Sequence, residues 1–485
     1  MIKGRTCVNG SRQRSYTAEE DASSPTVSTE ALLITAAVDA AEERFVATCD
    51  ITGAFLKADM DEFVLIVLHN EEIDALIQAN QKYKEYVKTL NNGKRVLYLE
   101  LEKAMYGCLK SARLFWDHLS NYLSKMGFKQ NDYDLCVANK TVENEVCTVA
   151  WHVDDLKISH KDEKVVMDVI RQLEDEYGKM SITTGPVHNY CGMTLRFENK
   201  CVKVDMSDYL KDTVNEFPED CSKSVTTPAA VHLFEVNEKE EKLDAKKKQL
   251  FHTFVAKLLF VSKRGRPDIQ VAIAFLSTRV TAPDLDDWKK LVRLLRYINS
   301  TLELVLTLSV DNFNSVKWWV DASYATHHNS RSHTGGTMTM GKGSIFSTSC
   351  KQKINARSST EAELIGINDV VGQILWTKNF LNCQGYDIET SIVHQDNKSA
   401  MLLEQNGILS SSKRTKHINV RYYFIKDYID KKEIHVIYCP TEEMIADYFT
   451  KPLQGSKFVQ FRDIIMGTEC FDSLNKERVA ETEGK

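Results

Sequence analysis

The sequence predicts a multidomain protein that combines α+β and α/β folds. Its 485 residues are 43% hydrophobic and 27% charged, which is enough for two or three domains with buried cores. In the first half, apolar alternation typical of antiparallel strands is interspersed with helical periodicity. The last third runs in the order β-β-β-α-β-α-β-α, which is typical of a mixed sheet covered by helices.

A β-hairpin with two adjacent carboxylates is predicted at Asp154 and Asp155. The apolar run 146–153 precedes the tip, and apolar and polar residues alternate over 156–159. Adjacent carboxylates repel each other unless a cation lies between them, and Mg²⁺ is a hard cation that prefers oxygen ligands. The alternative is that the two aspartates are only favourable turn residues.

A third carboxylate, Asp50, ends another apolar stretch, 45–49. Three aspartates, one at a strand end and two on a hairpin, are the residues that two-metal phosphoryl transfer requires. Phe55 follows five positions later. Its ring would either press against the sugar of an incoming nucleotide and exclude a 2′-hydroxyl, or belong to the core.

A predicted helix begins after Gly107, and two cations lie at its front. Lys110 and Arg113 are placed there to hold phosphate or template, because a helix N-terminus favours anions. Three basic clusters occur elsewhere, each of which can also be a solvated face: 263–266, 289–296 and 413–417. Since the net charge is −6, a bound nucleic acid would need such local patches or bound metal.

Cysteine usage and hydropathy limit the cellular locations that are compatible with the sequence. Twelve cysteines occur without a Cys-x-x-Cys pair, which argues against zinc and fits a reducing compartment. No apolar run approaches the ~20 residues of a membrane span, and the N-terminus lacks a signal-peptide core. The sequence therefore predicts a soluble intracellular protein without a membrane partner.

Acidic residues recur at the element ends of the last third. They are Asp321 after a strand, Asp396 after another, Asp447 in a later helix, and Glu361 or Glu363 in a helix that begins near 358. Four carboxylates in this arrangement indicate a second two-metal site. The two glutamates lie ~200° apart around a helix axis, so only one should face the metals.

Three stretches, in this order, resemble the reverse transcriptase of copia-type LTR retrotransposons: Asp50-Ile-Thr-Gly-Ala-Phe-Leu, Met105-Tyr-Gly-Cys-Leu-Lys-Ser-Ala-Arg113 and His152-Val-Asp-Asp155. The resemblance implies a right-hand polymerase palm in which Asp50, Asp154 and Asp155 bind two Mg²⁺ or Mn²⁺ ions. One ion would activate the primer 3′-hydroxyl, and the other would neutralise the triphosphate. Phe55 would be the sugar gate. Tyr190-Cys191-Gly192-Met193 resembles the family's primer-positioning hairpin, and Lys3 and Arg5 resemble the fingers segment that contacts the triphosphate.

The last third resembles the ribonuclease H domain of the same family, in four stretches: Ser358-Ser-Thr-Glu-Ala-Glu363, Asp396-Asn-Lys-Ser-Ala400, Lys416-His417-Ile418 and Ala446-Asp447-Tyr-Phe-Thr-Lys-Pro452. By position in the motif, Glu363 joins Asp321, Asp396 and Asp447 as a metal ligand, and Glu361 favours the helix N-terminus electrostatically. The implied chemistry is metal-assisted hydrolysis of RNA in an RNA–DNA hybrid. His417 would assist product release or anchor its helix.

The resemblance also implies a domain order and a set of partners. The expected domains are a fingers remnant and palm (1–222), a helical thumb and connection (223–312), a ribonuclease H-like domain (313–455) and a polar tail (456–485). The expected partners are an RNA template, a DNA primer, the RNA–DNA hybrid and deoxynucleoside triphosphates. The expected location is the cytoplasm, inside a virus-like particle, or the nucleus. The sequence does not predict the oligomeric state.

Departures from the family pattern define two alternatives. His152 stands where the family usually has Tyr, Lys110 where it has Gln, and Gly265 where it has Thr. The chain is expected to open inside the fingers, downstream of the protease and integrase of the polyprotein. One alternative is therefore a nuclease without polymerase activity. The other is a degenerate, non-catalytic nucleic-acid-binding protein.

Overall fold

A computed structural model describes residues 7–406 and 419–471 of the chain. Helices are combined with antiparallel and mixed sheets, which confirms the predicted mixture of α and β structure. The chain forms two compact units. The first contains residues up to Val27, Ala47–Asn131 and Leu135–Thr183, and the second contains Ser28–Val46, Asp132–Asp134 and residues from Thr184 onwards.

The first unit is built on two sheets. Its strands are β1 (Phe45–Asp50), β2 (Leu65–His69), β3 (Lys88–Thr89), β4 (Arg95–Glu100), β5 (Lys129–Gln130), β6 (Val137–Val142), β7 (Glu145–His152), β8 (Asp155–His160) and β9 (Ser181–Thr184). One sheet has the order β5-β6-β7-β8-β1-β9, and the other has the order β2-β4-β3. β7 and β8 form the predicted hairpin, with His152 opposite Asp155. The first order places β1, which ends at Asp50, directly beside that hairpin.

Helices occur throughout both units. In chain order they are α1 (Glu19–Ala22), α2 (Thr29–Ala41), α3 (Asn70–Ala79), α4 (Ser111–Lys125), α5 (Glu163–Tyr177), α6 (Ser207–Glu216), α7 (Ala245–Ser262), α8 (Gln270–Ser277), α9 (Leu285–Ser300), α10 (Ser359–Cys383), α11 (Lys398–Asn406), α12 (Asn419–Asp430), α13 (Asp447–Thr450) and α14 (Gly455–Ile465). Short 3₁₀ segments cover Gly10–Ser15, Ala54–Lys57, Gln81–Tyr86 and Pro267–Ile269. In α4, Phe115, Leu119 and Leu123 recur every four residues and are fully buried, so this face joins the core of the first unit.

The second unit also contains two sheets. Its strands are β10 (Val187–Tyr190), β11 (Met193–Glu198), β12 (Cys201–Asp205), β13 (Leu306–Ser309), β14 (Ser315–Ser323), β15 (His333–Thr339), β16 (Phe346–Lys351), β17 (Thr390–Gln395) and β18 (Ile434–Tyr438). The four-stranded sheet has the order β10-β11-β12-β13. The five-stranded sheet has the order β16-β15-β14-β17-β18, in which β14 pairs antiparallel with β15 and parallel with β17. This mixed sheet is the one that the order of elements predicts.

The long helix α10 packs against β14 and β15 of the mixed sheet. It begins where the sequence predicts, because Ser358 caps it by accepting the Glu361 N–H at 3.2 Å. Ala362 and Ile365 are buried against Ala322 of β14. The cap and this apolar face together fix the rotation of the helix, and therefore the direction of the carboxylates in its first turns.

Two predictions about the second unit are wrong in detail. β14 continues through Asp321 to Ser323, so Asp321 lies inside a strand rather than after it. The expected polar tail 456–485 begins instead with α14, which buries Phe458, Phe461, Ile464 and Ile465. Phe458 stacks on Tyr448 with ring centroids 5.3 Å apart. The apolar face of α14 was missed because polar residues interrupt it in sequence, although its period is helical.

Helix hydropathy and the state of the cysteines are both defined for the described residues. Within 7–406 and 419–471, no helix combines the length and apolar character that a membrane crossing demands. Each of the twelve cysteines is a free thiol.

Two candidate carboxylate centres

The first centre lies in the first unit, at the hairpin β7–β8. Asp154 and Asp155 form its tip, and Asp50 ends the neighbouring strand β1. The Ile51 N–H donates to the Asp154 carbonyl oxygen at 3.0 Å, which ties the end of β1 to the tip. All three carboxylates are half-buried. The structure thus brings together the three aspartates that the sequence selects.

The turn at the hairpin tip holds an unusual backbone conformation. Val153 and Asp154 form a two-residue loop, and Val153 has φ +61°. A β-branched residue at positive φ is strained, and tight hairpin turns require such a φ at their first central position. Strain of this kind persists where surrounding structure determines it, and it clusters at functional sites. Here the loop fixes Asp154 and Asp155 in consecutive positions of one turn.

The electrostatics of this centre favour a cation. The pKa of Asp155 is raised, first by burial and then by the neighbouring charges of Asp154 and Asp50. His152, which lies opposite Asp155, lowers it less strongly. Burial and the neighbouring carboxylates thus disfavour the ionised form of Asp155, and oxygen-only ligands suit Mg²⁺ or Mn²⁺. The residues therefore fit divalent metal.

Phe55 lies in the 3₁₀ segment that follows β1, and it is half-buried. Its ring centroid is 4.7 Å from that of Tyr106 and 6.3 Å from that of Phe115. Gly53 precedes the segment at φ +70°, a conformation that suits glycine. The ring is thus held by aromatic neighbours, and its partial exposure leaves both sequence interpretations, gate and core, open.

The two cations of α4 have protein partners in this structure. The Lys110 Nζ lies 3.0 Å from Asp61 and 3.4 Å from Glu62, and the hydrogen bond to Asp61 raises its pKa despite the opposing effect of burial. Arg113 pairs with Asp117 at 3.1 Å. Both lie at the predicted helix start, and their predicted contact with a nucleotide remains a prediction. Lys3, Arg5 and His417 lie outside the described residues.

The basic cluster 263–266 contains a residue that cannot contact a duplex backbone. Arg266 is fully buried, and its guanidinium forms two 2.8 Å hydrogen bonds with Asp268. Tyr297 donates to the same carboxylate at 2.8 Å. Arg266 is therefore part of a buried polar network in the second unit, so for this residue neither alternative given for the cluster, a nucleic-acid contact or a solvated face, applies.

The second centre lies on the mixed sheet of the second unit. It contains Asp321 of β14, Glu363 of α10 and Asp396, which follows β17. Each offers a carboxylate oxygen within 4.8 Å of the other two. Among the described residues, no other group of three acidic side chains meets this distance. Asp321 and Glu363 are buried, whereas Asp396 is half-buried and lines an open groove. The parallel pairing of β14 and β17 brings the two aspartates side by side.

Asp447 lies near this trio and is engaged by lysines. It opens α13, and its charge raises the pKa of both Asp321 and Asp396. One of its oxygens pairs with Lys451, and the other lies 3.0 Å from the Nζ of Lys457. Three of the four predicted acids are therefore mutually within ligand distance, and the fourth lies beside them as the partner of two ammonium groups.

Glu361 and Glu363 have separate environments, as the helix geometry predicts. The Glu361 carboxylate accepts the Arg357 N–H at 2.8 Å and so belongs to the cap of α10. Glu363 faces Asp321 and Asp396, with Gln395 donating to it at 3.5 Å. The choice between them, which the resemblance made, agrees with these positions.

Burial and crowding both raise the proton affinity of the second centre. Burial, followed by the charge of Asp447, raises the pKa of Asp321 to about 6, although Lys451 and Thr450 oppose the shift. The pKa of Glu363 is raised well above its usual value by burial and then by Asp321 and Asp396. A divalent cation between these oxygens would replace repulsion with attraction. The donor set therefore fits Mg²⁺ or Mn²⁺.

The sequence did not single out several polar residues that hold this centre. Thr450 donates to Asp321, Thr441 donates to Asp396 at 3.2 Å, and Lys451 reaches both Asp447 and Asp321. Of these contacts, only the pairing of Lys451 with Asp447 could have been predicted from the sequence, because a lysine four residues after an aspartate lies close to it when the segment is helical.

One sheet of the first unit thus carries Asp50 at the end of β1 and Asp154 and Asp155 at the tip of the neighbouring hairpin. Residues 1–231 match the family described as reverse transcriptase (RNA-dependent DNA polymerase), which supports the resemblance to copia-type reverse transcriptases. The match covers all three aspartates of the first centre.

Known relatives extend the similarity beyond that family match. The retrovirus-related Pol polyprotein of transposon TNT 1-94 from Nicotiana tabacum is 26% identical over 473 residues, which cover 96% of this chain and 34% of the polyprotein. That of transposon RE1 from Arabidopsis thaliana is 25% identical over 368 residues, covering 75% and 24%. This chain therefore spans about a third or less of the length of these relatives. A crystal structure of the prototype foamy virus protease–reverse transcriptase aligns with 85% of this chain and 45% of that chain, at 12% identity and a TM-score of 0.21.

Proposed function

We propose that the chain is an RNA-directed DNA polymerase whose second unit cleaves the RNA strand of RNA–DNA hybrids. The observation that carries the proposal is the presence of two carboxylate centres, each in its own compact unit. The family match supports the polymerase half. The acidic trio on a mixed sheet of order β16-β15-β14-β17-β18 supports the nuclease half.

In the polymerase half, Asp50, Asp154 and Asp155 would hold the metal ions. Bound there, the ions would neutralise triphosphate charge and favour the ionised primer 3′-hydroxyl. The hydrogen bond between the Ile51 N–H and the Asp154 carbonyl oxygen joins the end of β1 to the hairpin tip, so the backbone that carries the three acids is already assembled before a nucleotide enters. Phe55, held against Tyr106, would exclude a 2′-hydroxyl by its bulk.

Lys110 would contribute to nucleotide or template binding by changing partners. Its ammonium group pairs with Asp61 and Glu62 in the absence of nucleic acid. A phosphate would compete with these carboxylates for the same charge, and the partly exposed pairs are weak enough to exchange. Arg113, paired with Asp117, would act in the same way.

In the nuclease half, Asp321, Glu363 and Asp396 would hold divalent metal, which supplies a nucleophile at neutral pH and stabilises the leaving oxygen. The open groove that Asp396 lines, about 620 Å³, gives a phosphodiester access to the trio. Thr441 orients Asp396, and Thr450 orients Asp321. Recognition would rest on hybrid shape and 2′-hydroxyl groups rather than on base sequence.

A nuclease without polymerase activity is the second candidate. Two observations favour it. Three acids of the second unit offer oxygens within 4.8 Å of one another, and Lys110 and Arg113 of the first unit are paired with protein carboxylates. Both candidates require divalent metal and hybrid binding, so an assay of cleavage alone does not separate them.

The test is a pair of assays on the purified chain. One measures extension of a DNA primer on an RNA template with deoxynucleoside triphosphates, and the other measures cleavage of a labelled RNA–DNA hybrid, each with Mg²⁺ and with chelator. The proposal predicts both activities with Mg²⁺ and neither with chelator. Cleavage without extension would select the nuclease, and hybrid binding without either activity would contradict both.

A further inference from the structure

Among the described residues, Lys451 is the cation that contacts both Asp321 and Asp447 of the second centre. It follows α13, four residues after Asp447, and its Nζ pairs with the Asp447 carboxylate. The same Nζ lies 3.8 Å from Asp321 Oδ2. These two contacts place the Lys451 side chain between the carboxylates of Asp321 and Asp447.

The bonding of Asp447 sets it apart from the other three acids. Lys451 occupies one of its oxygens, and Lys457 lies 3.0 Å from the other. Asp321, Glu363 and Asp396 offer oxygens within 4.8 Å of one another without Asp447. The edge of the centre between Asp321 and Asp447 therefore already holds a positive charge, and this charge reaches the trio at Asp321.

Lys451 is also accessible from two sides. It lines the groove of about 620 Å³ that contains Asp321, Glu363 and Asp396. It also lines a second groove of about 610 Å³, together with Phe234, Ser323 and other residues. A metal ion or a substrate phosphate that enters either groove can therefore meet this ammonium group. Its long flexible side chain can withdraw toward solvent without moving α13.

We propose that Lys451 is a resident cation that occupies the Asp321–Asp447 edge, so that a divalent ion binds there only by displacing it. This inference rests on the proposed nuclease function of the same centre. It assigns one divalent ion to Asp321, Glu363 and Asp396 when nucleic acid is absent. It makes the second ion conditional, because two cations at one carboxylate edge repel each other. Lys451 is thus a positioning residue that controls metal occupancy.

The test counts bound Mn²⁺ by electron paramagnetic resonance, without nucleic acid, on the full chain carrying Asp154→Asn to weaken metal binding at the first centre. Lys451→Met should gain one bound Mn²⁺ per chain relative to this background, and Lys451→Arg should not. Lys457→Met is the matched control, because it removes a charge from the same carboxylate but not from the edge shared with Asp321. No gain in Lys451→Met, or an equal gain in Lys457→Met, would overturn the proposal.

A second readout separates metal occupancy from a purely structural role. In chelator, Lys451→Met should melt at a lower temperature than the background, because Asp321 then loses the ammonium group beside it and Asp447 retains only Lys457. Mg²⁺ should remove that difference. A difference that persists in Mg²⁺ would contradict the proposal. Hybrid cleavage by the unaltered chain is measured separately, so loss of the proposed function and loss of this inference remain distinguishable.

Discussion

At the scale of single residues, Val153 shows how the hairpin tip positions its carboxylates. The residue has φ +61° in a two-residue turn between His152 and Asp155. A left-handed backbone conformation costs an L-residue with a Cβ roughly 1–2 kcal/mol of folding free energy, whereas glycine adopts it without this cost. The strained turn therefore lowers the stability of the fold, and the same backbone conformation holds Asp154 and Asp155 at the hairpin tip.

We predict that Val153→Gly is more stable than Val153→Ala by about 1 kcal/mol, the reverse of the usual order. Urea denaturation of both variants measures the difference. Val149, buried within β7, is the control position, where alanine should be more stable than glycine. If Val153→Ala were the more stable of its pair, the turn would not be strained as described.

Glu404 is a second residue with an unusual environment. It lies in α11 of the second unit, it is fully buried, and within the described residues neither carboxylate oxygen has a hydrogen-bond partner. Burial raises its pKa to about 8, from a usual 4.5. The folded chain therefore keeps this proton at neutral pH, whereas the unfolded chain releases it.

This proton makes the free energy of unfolding depend on pH. Because the folded pKa is the higher one, the stabilisation is complete below pH 4.5 and is lost as pH rises to about 8. In that interval wild type should lose about 1.4 kcal/mol per pH unit relative to Glu404→Gln. Melting temperatures from pH 5 to 9 measure this, with the exposed Glu389→Gln as control. Parallel curves for wild type and Glu404→Gln would refute it.

At the scale of elements, the second centre depends on close packing of α13 on β15. Gly335 of β15 is paired with Asp321 of β14. A Cβ at Gly335 would lie 2.9 Å from the Ala446 carbonyl oxygen and 2.6 Å from the Thr450 methyl group. The absent side chain therefore allows α13 to bring Asp447 and Thr450 up to Asp321.

We predict that Gly335→Ala lowers stability by about 1–3 kcal/mol through overpacking, and lowers hybrid cleavage at least ~10-fold because α13 must shift. Gly372→Ala is the matched control. A Cβ there meets no atom within 4 Å, and alanine favours the helix α10 by up to ~1 kcal/mol. Melting and cleavage assays on both variants measure the effects. Unchanged cleavage in Gly335→Ala would show that α13 does not position the centre.

Elements with a local signal were predictable from the sequence. The hairpin β7–β8 lies where the sequence predicts it, and α10 begins at its hydroxyl cap, because alternation and capping are encoded in neighbouring residues. The contact of Lys451 with Asp321 and the burial of Arg266 were not predictable, since the first joins residues far apart in the chain and the second depends on tertiary packing. Spacing selected the acids, but the pairing of β14 with β17 determined which of them meet.

At the scale of the whole molecule, the chain separates two carboxylate centres into two compact units. Asp50, Asp154 and Asp155 belong to the first, and the acids of the last third belong to the second. Each unit has its own sheets and core, so loss of one carboxylate in one unit should leave the other folded. The two proposed activities should therefore be separable by mutation.

The most direct measurement is a crossed assay of Asp154→Asn and Asp396→Asn for primer extension and hybrid cleavage. Asp154→Asn should lower extension at least ~100-fold and leave cleavage within about two-fold of wild type, and Asp396→Asn should do the converse. Circular dichroism of each variant serves as the folding control. If either substitution removed both activities from a folded chain, or neither activity, the account of two independent metal centres would be contradicted.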